Sequence, residues 1–187
     1  DSVAPDYDRQ ALRRQFNLEE SAPVIGLFPG SRVAEVNMLL PVLLQTAAEL
    51  VKRDPKTQLI LAEASSIDDN LLHDLLGESP VPVLVVKDQA SEAMAVSDLL
   101  LVASGTATLQ AAVVGTPMIL LYKTTRPTYW VARMWIRVKW IGLVNLVAGR
   151  TVVPELIQDE ATVERVTKEG CRLLNDRQAY DEMKNGL

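Results

Sequence analysis

Short apolar runs alternate with stretches of helical period from residue 23 to residue 122, and this alternation restricts the chain more than anything else in it. Residues 24–28, 58–62, 81–86, 98–102 and 118–122 read as strands. Nearly continuous hydrophobic runs of this length suit strands buried on both faces, as parallel strands are. Between them, 33–53, 69–76, 90–96 and 106–114 read as helices. The longest of these repeats apolar residues at helical spacing: Val36, Leu39, Leu40, Leu43, Leu44, Ala47, Leu50 and Val51. The expected fold class is therefore α/β, a Rossmann-like parallel sheet with helices on both faces through right-handed crossovers. A short helix over 8–17 precedes the alternation. After it come a helix over 128–140, an apolar loop over 142–149 and helices over 160–174 and 176–185. The 187 residues are expected to form one domain, 1–187, with 161–187 as its C-terminal helices.

Several function classes are disfavoured. A formal net charge of -5 argues against nucleic acid as a partner. The lone cysteine, Cys171, rules out an internal disulfide and reads as a packed thiol in a reducing compartment. The one histidine, His73, falls in a polar helix and reads as surface, so a zinc site is not expected. No signal peptide is visible at the acidic start, and no apolar run is long enough to suggest a membrane span. The dinucleotide G-x-G-x-x-G, the P-loop and the G-x-S-x-G elbow are all missing.

Open parallel sheets bind ligands outside the carboxyl ends of their strands. Two strand exits carry suitable residues. One is Phe28-Pro29-Gly30-Ser31-Arg32 with Glu35 following, and the other is Ala103-Ser104-Gly105-Thr106-Ala107-Thr108. Each leads into a helix, whose free N–H groups and dipole attract anions. The same residue types also serve as ordinary caps and turns. No D-x-D pair stands at either exit, so no metal or other cofactor is expected. Helix termini and Arg32 would supply the positive potential for a bound diphosphate.

From 123 to 153 there are six basic residues (Lys123, Arg126, Arg133, Arg137, Lys139, Arg150) and no acidic one. All three tryptophans, Trp130, Trp135 and Trp140, fall here too. A spacing of five advances about 140° around a helix, so the indoles cannot share one narrow face. A membrane surface rich in anionic headgroups suits such a segment. A helix packed on a partner domain explains it as well. Nucleic acid is the third reading, opposed by the acidic remainder.

These stretches together resemble the lipid A disaccharide synthase family. Pro29-Gly30-Ser31-Arg32 with Glu35 is similar to its "PGSR…E" motif, and 97–109 to its "SD…ASGTAT" segment. Gly115-Thr116-Pro117-Met118, Tyr122-Lys123, Thr128-Tyr129-Trp130, Asn145-Leu146-Val147-Ala148-Gly149-Arg150 and Val153-Pro154-Glu155-Leu156 follow in the family's order. Two positions depart from it: Gln110 stands where the family commonly has a ribose-holding Glu, and Val144 where it has Pro.

The resemblance implies the C-terminal, UDP-binding half of a B-type glycosyltransferase. The family transfers 2,3-diacylglucosamine from UDP-2,3-diacylglucosamine to 2,3-diacylglucosamine 1-phosphate and releases UDP. It is an inverting reaction of lipid A biosynthesis at the cytoplasmic face of the bacterial inner membrane. By resemblance, Gly30, Ser31, Arg32, Glu35, Ser104, Gly105, Thr106, Ala107 and Thr108 hold the donor. Gln110 contacts the ribose, Arg32 stabilises departing UDP, and Trp130, Arg133, Asn145 and Arg150 face the cleft or the lipid. The family's N-terminal domain, which carries its catalytic acidic residue, is expected outside this chain, which should bind UDP weakly and without turnover. Expected partners are the two acylated sugars, the membrane surface, that N-terminal domain and, through the exposed aromatic segment, a second copy. Two other functions fit the same fold: a UDP-sugar epimerase or soluble-acceptor glycosyltransferase, and a non-catalytic docking module.

Overall fold

The computed structural model describes residues 7–125 and 139–187. Its centre is a six-stranded sheet, every neighbouring pair parallel, in the order β3-β2-β1-β4-β5-β6. The strands are β1 (Val24–Phe28), β2 (Gln58–Glu63), β3 (Leu84–Lys87), β4 (Leu99–Ala103), β5 (Met118–Tyr122) and β6 (Glu155–Ile157). The described helices are α1 (Arg9–Gln15), α2 (Val33–Arg53), α3 (Asp69–Gly77), α4 (Ala90–Val96), α5 (Thr106–Val114), α6 (Leu143–Ala148), α7 (Val163–Asn175) and α8 (Arg177–Gly186). A 3-10 turn, Gln158–Glu160, links β6 to α7.

β1 and β4 are buried along their whole length, as central strands covered on both faces must be. One face is covered by α2, which packs against α7 and touches α3. On the other, α4 lies over the sheet between α1 and α5, and α5 leads on to α6. α2 is long and apolar enough to cross a bilayer. Its Leu39, Leu40, Leu43 and Ala47, however, are 2% exposed or less, so its apolar stripe belongs to the sheet's core.

The amino ends of the strands are closed by ion pairs. Asp98 takes a hydrogen bond from the Val24 amide at 2.8 Å and pairs with Arg9 at 2.6 Å and Arg13 at 2.8 Å. The buried Arg13 guanidinium also donates to the carbonyl oxygens of Val96, Glu20 and Ala22. At the far edge, β6 holds the chain on either side of 126–138. Gln158 exchanges two hydrogen bonds with the Thr124 backbone, at 3.0 and 3.1 Å. The Glu155 carboxylate accepts from the amides of Ile141 and Gly142 at 2.8 and 3.1 Å.

Several elements differ from the sequence reading. β3 starts at Leu84 and not at 81, since Pro82 has no N–H for the ladder, and α7 starts at Val163 and not at 160. The apolar loop expected over 142–149 is a helix bounded by Gly142 and Gly149. Residues 155–157, assigned to no element, form the sixth strand beside β5. Most of the helix expected over 128–140 lies outside the described residues.

Candidate functional site

Strand order reverses at β1. The chain runs outward through β2 and β3, then returns to place β4 on β1's other side. In open α/β sheets the crevice at such a switch point, beyond the carboxyl ends of the strands, is where ligands lodge. Phe28 stands in register with Val102, so both glycine-bearing exits leave the same rim side by side. A Cβ placed on Gly30 would lie 3.4 Å from the Ala103 Cβ and 2.6 Å from Glu35 Oε2. Gly30 has φ +106°, a conformation few side chains tolerate.

Between the exits lies a cleft of about 330 Å3. Gly30, Ser31, Arg32 and Glu35 line it from one side, and Ser104, Gly105, Thr106 and Ala107 from the other. Its walls also include the end of β2, the first residue of α4 and Leu143 of α6. Four helices thus begin at this cleft, and none of the four has a side-chain cap. α1, α3, α7 and α8 begin elsewhere and are capped by Asp8, Asp68, Thr162 and Asp176. Helices whose first N–H groups are left without a side-chain acceptor present donors and positive dipole ends to whatever enters. Nothing lies within 4 Å of a Cβ built on Gly105, so the α5 terminus is open.

Arg32 is 79% exposed at the mouth and pairs with Glu35 at 2.6 Å. An exposed pair of this kind contributes little to stability and leaves the guanidinium free to turn. Glu35, 18% exposed, is the more buried partner of the pair. Thr108 does not line the cleft: its buried hydroxyl donates to the Gly105 carbonyl at 2.7 Å and shapes the turn from within. Gln110 is not in the lining either. It is exposed, and its amide donates to Ser91 Oγ on α4.

Asn145 corrects the expectation that it faces the cleft or the lipid. It is fully buried, donates to the Val153 carbonyl and Glu155 at 2.8 Å each, and accepts from the amides of Val152 and Val153. Its position inside the turn from α6 to β6 leaves it no free polar atom to offer. Arg150 is exposed, but it lies against the α8 end near Gly186 and outside the cleft lining. Trp130 and Arg133 lie outside the described residues. Trp140 is described, with its indole N–H on Thr151 Oγ1 at 3.0 Å and Lys139 over its ring at 4.6 Å.

Glu63, outside the residues expected at the site, ends β2 on the same rim and lines the cleft. The available signal was a carboxylate directly after a buried strand next to β1. Its neighbourhood is charged. A hydrogen bond from Lys87 holds the Asp69 carboxyl below its ordinary value, with Glu63 a second contact. The same bond to Asp69, then Glu63, raises Lys87. Among the described residues no group of three or more His, Cys, Asp and Glu is arranged to hold a metal ion. His73 is on the surface, 89% exposed.

Residues 1–186 match the family described as Lipid-A-disaccharide synthetase. The chain belongs to that family. Its relatives include the lipid-A-disaccharide synthase of Geobacter sulfurreducens, 42% identical over 187 residues, which cover 100% of this chain and 49% of that protein. The chain therefore spans about half the length of the curated relatives it matches. The family fold recurs in more distant structures. One is the Neisseria meningitidis UDP-GlcNAc 2-epimerase bound to UDP-GlcNAc, with TM-score 0.63 and 17% identity over 94% of this chain and 43% of that one. Another is the E. coli ADP-heptose lps heptosyltransferase II, with TM-score 0.62 and 17% identity over 94% of this chain and 54% of that one. The Rossmann-like parallel sheet expected for a B-type glycosyltransferase half is therefore the fold observed.

Proposed function

We propose that this chain is the donor-binding half of a lipid A disaccharide synthase. The observation that carries this reading is the convergence of two glycine- and hydroxyl-bearing helix starts on one cleft at the switch point. That arrangement fits a pyrophosphate. Backbone N–H groups at Ser31, Gly105 and Thr106 hold its oxygens, and Gly30 and Gly105 let them approach the chain. The whole enzyme moves 2,3-diacylglucosamine from its UDP derivative onto 2,3-diacylglucosamine 1-phosphate. As the anomeric bond to UDP breaks, negative charge builds on the diphosphate. The α2 and α5 termini and Arg32, oriented by Glu35, stabilise that charge in place.

Inversion also needs a base for the acceptor hydroxyl. In the family this falls to the N-terminal half, so the chain by itself binds UDP and does not turn over. The family's acylated substrates suit a reaction at the cytoplasmic face of the inner membrane, with the basic tryptophan-rich stretch against anionic headgroups. Family membership over the whole chain favours this transferase above an epimerase or a docking module.

Calorimetry with UDP tests the site. Gly105→Asp adds an N-terminal cap to α5 in open space, so folding stability holds or rises. The new carboxylate faces the diphosphate, and UDP binding is lost. Arg32→Ala weakens binding by roughly 1–3 kcal/mol, the contribution of a charged hydrogen bond. Unchanged affinity in both variants sinks the assignment.

A further inference from the structure

Glu63 is the group in the cleft that an anion does not explain. Its side chain is 9% exposed, so it is largely out of water. A carboxylate in such a place needs a compensating charge. Lys87, its register partner at the end of β3, supplies one with Nζ 3.3 Å from Oε1. The lysine directs its hydrogen bond elsewhere, to Asp69 Oδ1 at 2.8 Å. Glu63 Oε1 is left buried without any hydrogen-bond partner. One ammonium serves two carboxylates, so the charge of Glu63 is only partly offset, and no donor is aligned on its Oε1.

An ionised carboxylate only accepts hydrogen bonds. It repels phosphate, so it suits a neutral, hydroxyl-bearing part of the same ligand. The other residue expected to touch a diol, Gln110, spends its amide on Ser91 outside the cleft lining. Glu63 is separated from the Gly30 exit by no intervening strand, since β2 pairs directly with β1. The Ser66 hydroxyl, donating to the Ser31 carbonyl at 2.7 Å, ties the loop after β2 to the Gly30 exit. A ligand seated on the α2 terminus is therefore a neighbour of this carboxylate.

We propose that Glu63 accepts hydrogen bonds from the hydroxyls of the bound nucleotide sugar, and so makes binding depend on the polyol portion as well as the diphosphate. The proposal rests on the UDP-sugar reading above. Ribose and hexose both carry such hydroxyls, and the experiment separates them. Calorimetry on the chain compares UDP, 2′-deoxy-UDP and UDP-N-acetylglucosamine. A ribose contact makes UDP bind about 10-fold or more tightly than 2′-deoxy-UDP, the scale of a hydrogen bond to a charged group. A hexose contact makes UDP-N-acetylglucosamine tighter than UDP by a similar factor. Glu63→Leu closes whichever gap is present, and the isosteric Glu63→Gln narrows it.

Two results overturn the proposal and leave the UDP-sugar reading intact. In one, all three ligands bind the unmodified chain equally. In the other, a gap survives both substitutions. The first comparison needs no variant, so misfolding of a mutant cannot shield the claim. If none of the three ligands binds, the underlying reading fails and this proposal with it.

Discussion

At the scale of single residues, burial and spare hydrogen-bonding capacity separate structural groups from candidate functional ones. Arg13 is buried and fully engaged, and so is Asn145, whereas Glu63 Oε1 has an ion pair but no aligned hydrogen-bond donor. Tyr180 shows how burial acts on titration. Loss of water pushes its phenol pKa above the ordinary 10.0, with the charge of Asp98 adding to the shift. The folded state therefore holds the phenolic proton more tightly than the unfolded chain does. The resulting stabilisation is complete below pH 10 and fades as pH rises from there through the folded value. Urea denaturation at stepped alkaline pH should show this loss in the unmodified chain. In Tyr180→Phe the part due to this residue disappears, and an identical alkaline slope would count against it.

Among elements, the α6–β6 corner is the clearest case of a polar side chain acting as structure. Asn145 takes two backbone amides and gives both its own protons, joining the helix to the edge strand. Asn145→Ala strands these groups in a dry site and should cost roughly 3 kcal/mol, read as a lowered denaturation midpoint. A loss below about 0.5 kcal/mol would mean that water replaces the amide. This corner was also the least legible part of the sequence. β6 is only three residues long and follows Pro154, so it has no periodicity to find. α6 has six residues between two glycines and reads as a loop. β1, β2, β4 and β5, by contrast, were readable because burial on both faces forces long apolar runs. Both glycine exits were visible too. The facing of Thr108 and Gln110, which depends on how α5 sits against α4, was not.

Over the whole molecule, chemistry and reinforcement are divided between the two rims of one sheet. The amino rim is closed by Asp98 and two arginines, and the carboxyl rim gathers four uncapped helix starts around open space. A chain built this way should lose the proposed anion site without losing its core, so Gly105→Asp is expected to separate binding from folding. The far edge has its own division. β6 and the turn after it fasten the backbone just before and just after residues 126–138, through Gln158 on one side and Glu155 on the other. The described backbone on both sides of that stretch is thereby tied to the edge of the sheet. On the proposed membrane role, replacing Arg126, Arg133 and Arg137 by Gln should lower adhesion to anionic vesicles, read by co-sedimentation, and undiminished adhesion would count against that role. Both anchors, Gln158 and Glu155, belong to an edge that lines no part of the cleft, so change at that edge is kept apart from the switch point.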